Sequence, residues 1–218
     1  MKEKKIIVSD FDGTITKQDT LFTFLERYAD KKWLKLEEMW VNGELGSEEC
    51  LLKQFALIPD LSEKLIDNFL DTIELDVYFK EFDEVRQKNN IDFLIVSDGL
   101  DYFINRILQK NNIKNVKIIS NHAEFIGEKF VINFPNKSSK CLKKSGTCKC
   151  SVIKKLRDDY REIYYIGDGK SDECVSNKVD YLFAKNGLLN YCKKMNIDCI
   201  EYKTYKGVLN YDGFGFNF

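Results

Sequence analysis

Two aspartates one residue apart, Asp10 and Asp12, follow the apolar run Ile6-Ile7-Val8 and precede Gly13-Thr14. Carboxylates crowded at one point repel each other unless a proton or a cation compensates. Gly13 lets the backbone curl tightly and present its N–H groups. Taken alone, an Asp-x-Asp is an acidic turn. The construction recurs, however: Glu162-Ile163-Tyr164-Tyr165-Ile166 runs into Gly167-Asp168-Gly169-Lys170-Ser171-Asp172, and Ile91-Asp92-Phe93-Leu94-Ile95-Val96 runs into Ser97-Asp98-Gly99. The natural cation for such acids is Mg²⁺, a hard ion that prefers oxygen ligands and leaves room for phosphate oxygens.

Three buried-type strands with small or acidic tips predict a parallel sheet whose carboxyl ends converge on one site, where open α/β folds bind ligands. The expected class is therefore α/β, a Rossmann-like doubly wound parallel sheet. From Leu21 to about Phe79 the pattern turns helical: Leu21, Phe24, Leu25 and Tyr28 share one face, then come Trp33 to Trp40 and a break at Gly43-Glu44-Leu45-Gly46-Ser47. Glu48 to Leu57, Leu61 to Leu70 after Pro59, and a further stretch to Phe79 complete it. Residues 17–80 are expected to form an inserted helical cap domain, and residues 1–16 with 81–218 the α/β core. Ala123 to Ile132 reads as a small inserted hairpin around Gly127. Tyr181 to Lys185 and Gly187 to Cys192 read as a strand and a helix, while no role follows for Phe214-Gly215-Phe216-Asn217-Phe218.

From Val8 to about Asn196 these residues resemble the haloacid dehalogenase superfamily of phosphotransferases, whose motifs are an Asp-x-Asp, a Ser or Thr, a Lys and a Gly-Asp-x-x-x-Asp. The resemblance implies that Asp10 is the nucleophile and Asp12 the general acid and base. It implies that Ser97 with Asp98 and Gly99 holds the phosphate, that Lys149 is the motif lysine, and that Asp168 and Asp172 bind Mg²⁺ with the Asp10 carboxylate and the Asp12 carbonyl. The chemistry is coherent without the family name. An ionised Asp10 can attack phosphorus to give an aspartyl phosphate, Mg²⁺ and an ammonium offset the repulsion, and Asp12 can protonate the leaving oxygen and then take a proton from water. Lys137, Lys140, Lys143, Lys144 and Lys149 crowd one segment; Lys149 is favoured because it precedes Ser151-Val152-Ile153-Lys154-Lys155-Leu156, a predicted helix with Ser151 near its cap, whose N-terminus favours anions. The other lysines are expected in water.

The chain has 218 residues and a formal net charge of −1, enough for one α/β core and an accessory unit, and its lysines are balanced by acids in a way unlike nucleic-acid proteins. The apolar stretch near the start is too short for a signal peptide or membrane span, so a cytoplasmic protein without membrane or nucleic-acid partners is expected, as monomer or homodimer. Seven cysteines read as mostly reduced thiols, with Cys50, Cys174, Cys192 and Cys199 as small buried apolar residues. Cys141, Cys148 and Cys150 lack a paired Cys-x-x-Cys knuckle, which favours free or redox-active thiols over zinc, and His122 reads as a satisfied loop histidine.

A helical cap after the first strand resembles the phosphoserine phosphatase branch, and Asp19 matches an acid that reaches substrate there, commonly Glu, which implies a part in specificity. The tail and Cys148-Lys149-Cys150-Ser151-Val152-Ile153 resemble the 2-hydroxy-3-keto-5-methylthiopentenyl-1-phosphate phosphatases of methionine salvage and their relatives. The expected activity is a Mg²⁺-dependent phosphomonoesterase of a small phosphorylated metabolite, that enol phosphate first, with phosphoserine or phosphocholine-type esters as alternatives. A phosphate-binding relative without catalysis is a further alternative, disfavoured because both Asp10 and Asp12 are present.

Overall fold

A computed structural model of the chain describes residues 4–141 and 143–216. The final Asn217-Phe218 of the aromatic tail lies outside the described residues. In chain order the elements are β1 (Lys5–Ser9), α1 (Thr20–Tyr28), α2 (Trp33–Val41), α3 (Ser47–Phe55), α4 (Glu63–Leu70), α5 (Phe79–Lys88), β2 (Asp92–Leu100) and α6 (Asp101–Lys110). There follow β3 (Lys117–Ile126), β4 (Lys129–Asn133), α7 (Lys149–Leu156), β5 (Glu162–Gly167), β6 (Tyr181–Ala184), α8 (Asn186–Met195), β7 (Ile200–Glu201) and α9 (Tyr205–Leu209).

The strands form a seven-stranded sheet in the order β4-β3-β2-β1-β5-β6-β7, parallel except for the β3–β4 pair. Side chains alternate faces along a strand. Ile7, Phe93, Ile95, Tyr164, Ile166 and Phe183 therefore enter one apolar layer with α5, α6 and α9, and Ile6, Val8, Leu94, Val96, Ile163 and Leu182 enter the other with α7 and α8. Burial on both faces explains why these strands read as continuous apolar runs. After β1 the chain builds outward through β2, β3 and β4, then crosses back to place β5 on the other side of β1. The reversal lies between β1 and β5, so a crevice opens beyond their carboxyl ends, where doubly wound sheets bind ligands.

The helical excursion leaves and re-enters the sheet through an antiparallel pair of connections, with the Lys17 N–H on the Glu74 carbonyl at 3.0 Å and the Asp76 N–H on the Ile15 carbonyl at 2.8 Å. It comprises α1 to α4, which pack onto the core through aromatic contacts such as Phe24 with Phe103 (5.3 Å between centroids) and Phe55 with Phe130 (5.5 Å). The stretch before Phe79 is not helical as the sequence suggested. Instead α5 begins at Phe79 and packs on the sheet layer, with Phe79 and Phe82 against Tyr205. The hairpin around Gly127 is present as expected, with Ala123 opposite Ile132 and Ile126 opposite Lys129, but its first strand is not separate from the main sheet. It is the continuation of β3, a single strand whose first half pairs with β2 and whose second half pairs with β4. Phe214 and Phe216 gain a role: Phe214 stacks on Phe183 and on Phe216 and closes the end of one core layer.

Candidate active site

The acidic turn after β1 is held by its own backbone and by glycine. Gly13 has φ of +69°, and a Cβ there would lie 2.6 Å from Asp168 Oδ2, so the β1 and β5 tips approach closely only because position 13 lacks a side chain. Gly99 plays the same part for the β2 tip, since a Cβ would stand 2.5 Å from Asp12 Oδ2 and 3.0 Å from Ser97 Oγ. The Ser9 hydroxyl caps the Asp10 carbonyl at 2.6 Å and shares a hydrogen bond with the buried Tyr205 hydroxyl.

Lys149 stands at the first residue of α7, is 2% exposed, and joins the tips. Its ammonium lies 2.9 Å from Asp10 Oδ1, 2.6 Å from Asp172 Oδ1 and 2.9 Å from Ser171 Oγ. Burial alone would push this lysine down; Asp10 and Asp172 outweigh burial and hold its pKa above the ordinary value. Ser151, expected near the helix cap, instead lies in the first turn with its hydroxyl on Cys148 Sγ at 3.2 Å. Lys137, Lys140 and Lys144 are exposed as expected, but Lys143 is half-buried and reaches Glu173 at 2.7 Å and the Lys170 carbonyl at 3.0 Å.

Asp10 Oδ1 also accepts the Phe11 N–H at 2.8 Å, whereas Oδ2 has no donor among the described residues. Burial, then the neighbouring Asp172, raises the Asp10 pKa well above the carboxylate range, against the pull of Lys149. Asp12 accepts the Thr20 N–H at 3.1 Å, and burial followed by the like charge of Asp19 pushes its pKa up to about 7. Asp168 takes the Thr14 hydroxyl at 2.9 Å and rises to about 6 through burial and Asp172.

Carboxylate oxygens of Asp10, Asp168 and Asp172 lie within 4.8 Å of one another, the one group of metal-type ligands found among the described residues. Three acids against one buried ammonium leave excess negative charge, and the donors are all oxygen, which fits Mg²⁺ better than zinc. Within this group, which includes Asp172 as expected, that residue is the most enclosed. It is 0% exposed, Oδ1 accepts Lys149 and the Tyr165 hydroxyl (2.5 Å), and Oδ2 accepts the N–H groups of Asp168 and Gly169 at 3.1 Å each. With both oxygens occupied, it braces Lys149 and the loop that carries Asp168.

Ser97 is 1% exposed, and its Oγ accepts the Gly99 N–H at 2.9 Å, which leaves the hydroxyl proton to donate into the crevice. Asp98 does otherwise than expected. Its carboxylate takes the Thr147 N–H (2.8 Å), the Asn121 amide (3.3 Å) and the Ser47 hydroxyl, so it ties loops together rather than pointing at a phosphate. Gly99 spends its N–H on Ser97 and supplies space. Asp19 lines the crevice, yet its Oδ1 caps α1 through the Phe22 N–H at 2.9 Å.

A cavity of about 170 Å³ extends from Asp10, Asp12, Ser97 and Asp168 up to the side chains of α1, α2 and α3. Its mouth is bridged from both sides. Ser47 at the start of α3 accepts the Gly146 N–H at 3.1 Å, and the Lys170 ammonium bonds the Val41 carbonyl at the end of α2. Ser47, Thr14, Asn121 and Tyr165 were not singled out from sequence: each is an ordinary polar residue whose role depends on a partner far along the chain. His122 pairs with Asp101 at 2.7 Å, away from the crevice. Cys50, Cys148 and Cys192 are buried, while Cys141, Cys150, Cys174 and Cys199 are half-buried, so Cys174 and Cys199 are less enclosed than expected.

The haloacid dehalogenase-like hydrolase family profile matches residues 7–175. A 2-hydroxy-3-keto-5-methylthiopentenyl-1-phosphate phosphatase of Bacillus pumilus is 33% identical over 205 residues, which cover 93% of this chain and 88% of the relative. The like-named protein of Bacillus velezensis is 30% identical over 210 residues, 95% of this chain and 89% of the relative. In structure, the chain is similar to a phosphoserine phosphatase solved as a phospho-aspartyl intermediate analogue, with TM-score 0.69, 21% identity, and coverage of 96% of this chain and 99% of the other. No helix among the described residues is long and apolar enough to cross a membrane.

Proposed function

The chain belongs to the haloacid dehalogenase-like hydrolases, and from that membership we propose that it hydrolyses small phosphate monoesters by way of a phosphoryl group carried on Asp10. The observation that carries the reading is the division of labour at Asp10: Lys149 and the Phe11 N–H fix Oδ1, and Oδ2 is left to attack. In-line attack on phosphorus needs positioning and charge compensation more than covalent chemistry from the protein. Lys149 supplies a fixed positive charge beside the nucleophile, and the Ser97 hydroxyl donates to a phosphate oxygen. Asp12, raised to about 7, is populated in its protonated form at neutral pH and can give that proton to the leaving oxygen, then accept one from the water that cleaves the aspartyl phosphate. Asp10, Asp168 and the carbonyl of Asp12 would hold Mg²⁺, with Asp172 bracing them; when bound, the ion would favour the ionised, nucleophilic form of Asp10 against the burial that raises its pKa, and would neutralise charge on the phosphate oxygens.

Helices α1 to α4, roughly the span 17–80 less its last residues, act as the cap that closes over the leaving group. The names of the Bacillus relatives support 2-hydroxy-3-keto-5-methylthiopentenyl 1-phosphate, or a related enol phosphate, as the substrate to test first. The test is phosphate release from a panel of phosphorylated metabolites and 4-nitrophenyl phosphate, with wild type and Asp10→Asn side by side. Turnover by wild type and none by a folded Asp10→Asn protein is expected. Equal turnover by both would overturn the reading.

A further inference from the structure

The far end of the cavity contains a polar pair in an apolar wall. Leu21, Phe22, Trp40 and Leu51 form most of that wall. Among them Gln54 of α3, 4% exposed, donates from Nε2 to Oε2 of Glu37 on α2 at 2.9 Å. Oε1 of Glu37 has no donor among the described residues. A half-buried carboxylate with an unfilled acceptor on a ligand cavity calls for a hydrogen-bond donor. Two acids, Glu37 and Asp19, face this end, and among the described residues the one lysine or arginine lining the cavity is Lys170, whose ammonium bonds the Val41 carbonyl at the rim. Burial, opposed by the Gln54 hydrogen bond and reinforced more weakly by the like charge of Asp19, holds Glu37 above the usual carboxylate range.

Resting on the phosphatase reading, we infer that Glu37, positioned by Gln54, selects substrates whose leaving group carries a hydrogen-bond donor, a hydroxyl or an ammonium, and rejects those that carry a carboxylate. A donor at that end fills Glu37 Oε1. A carboxylate placed there meets two like charges, while the cation of the lining, Lys170, is held at the rim by the Val41 carbonyl, so its desolvation is poorly compensated. The structural likeness to a phosphoserine phosphatase therefore does not extend to its substrate, since phosphoserine brings a carboxylate to this wall.

The experiment compares kcat/KM for glycerol 1-phosphate, phosphoethanolamine, propyl phosphate and O-phosphoserine, with 4-nitrophenyl phosphate as the reference for core chemistry. In wild type the two esters that carry a donor and no carboxylate, glycerol 1-phosphate and phosphoethanolamine, should exceed propyl phosphate by about 10-fold and phosphoserine, whose ammonium comes with a carboxylate, by roughly 100-fold, the scale on which polar sites discriminate. Whichever of the hydroxyl and ammonium esters is better identifies the donor. Glu37→Gln keeps the shape and removes the repelling charge, so the ratio of phosphoserine to glycerol 1-phosphate should rise by about 10-fold. Phosphoserine turned over as well as the donor esters by wild type, or a ratio unmoved by Glu37→Gln, would overturn the inference while 4-nitrophenyl phosphate hydrolysis left the phosphatase reading standing. No hydrolysis of any ester, the aryl phosphate included, would instead sink the phosphatase reading and this inference with it.

Discussion

Replacing Lys149 by methionine, which preserves length and bulk, isolates the charge that links Asp10 to Asp172. The ammonium is 2.9 Å from one carboxylate and 2.6 Å from the other, with all three groups at or below 5% exposure. At an effective dielectric of about 20, the Asp10 pair alone corresponds to roughly 5–6 kcal/mol of gross Coulomb energy, much of it offset by desolvation. Breaking one partner of a buried pair costs about 3–5 kcal/mol because the remaining charge stays buried. The variant should therefore lose about 3 kcal/mol of stability at pH 8. The loss should shrink as pH falls, because Asp10 already titrates above its unfolded value and, without the lysine, rises further. A carboxylate raised in the folded state binds more protons there than in the unfolded chain, so its folded form weakens as pH increases. Catalysis should fall in parallel by about 10²–10³-fold in kcat for every substrate, the scale of losing one oxyanion donor. Thermal melts from pH 5 to 8 and kcat on 4-nitrophenyl phosphate measure both. A variant with wild-type melting at pH 8 and kcat within a few-fold of wild type would refute the role given to Lys149.

Three further outcomes follow from the site. Because Asp12 sits at about 7 through burial and then Asp19, and must be protonated to act as acid, kcat for an alkyl phosphate should decline as pH rises past 7, while 4-nitrophenyl phosphate, whose leaving group needs no proton, should show a flatter limb; identical profiles would contradict the assignment. Gly99→Ala would set a methyl 2.5 Å from Asp12 Oδ2 and 3.0 Å from Ser97 Oγ, so a folded protein with kcat lower by about 10²-fold is expected, measured by steady-state kinetics alongside circular dichroism. EDTA should abolish phosphate release and added Mg²⁺ restore it, whereas activity surviving exhaustive chelation would exclude the oxygen-ligated cation.

The parallel sheet and its three acidic tips were legible in the sequence because their signals are local: an apolar strand followed at once by acids and glycine, as at Asp10, Ser97 and Asp168. Lys149 was legible through its place before a helix, although five lysines compete in that segment. What escaped depends on contacts between distant residues. Asp172 looks like a ligand by spacing, and only the convergence of Lys149, Tyr165 and two backbone N–H groups shows its oxygens to be occupied. Asp98 looks like part of a phosphate loop until Thr147 and Asn121 are brought to it. Asp19 was read as a recognition acid, yet half of its carboxylate caps α1, so its removal should weaken that helix by about 0.5–2 kcal/mol as well as alter the cavity. The hairpin around Gly127 was legible from its turn, but the continuity of its first strand with the main sheet was not, because the half of β3 that pairs with β2 is short and carries a weak pattern. The aromatic tail had no reading at all, since its partners Tyr164 and Phe183 lie far back in the chain.

The central claim is that Asp10 itself carries the phosphoryl group. The most direct measurement uses Asp12→Asn, which lacks the base that activates water, with 4-nitrophenyl phosphate, which departs without an acid, so that the intermediate accumulates. Quenching with borohydride reduces an aspartyl phosphate to homoserine, and peptide mass spectrometry locates it. Homoserine at position 10, formed with a burst of nitrophenol and absent when Asp10→Asn is added, is the predicted result. A nitrophenol burst with an unmodified Asp10 peptide would contradict it.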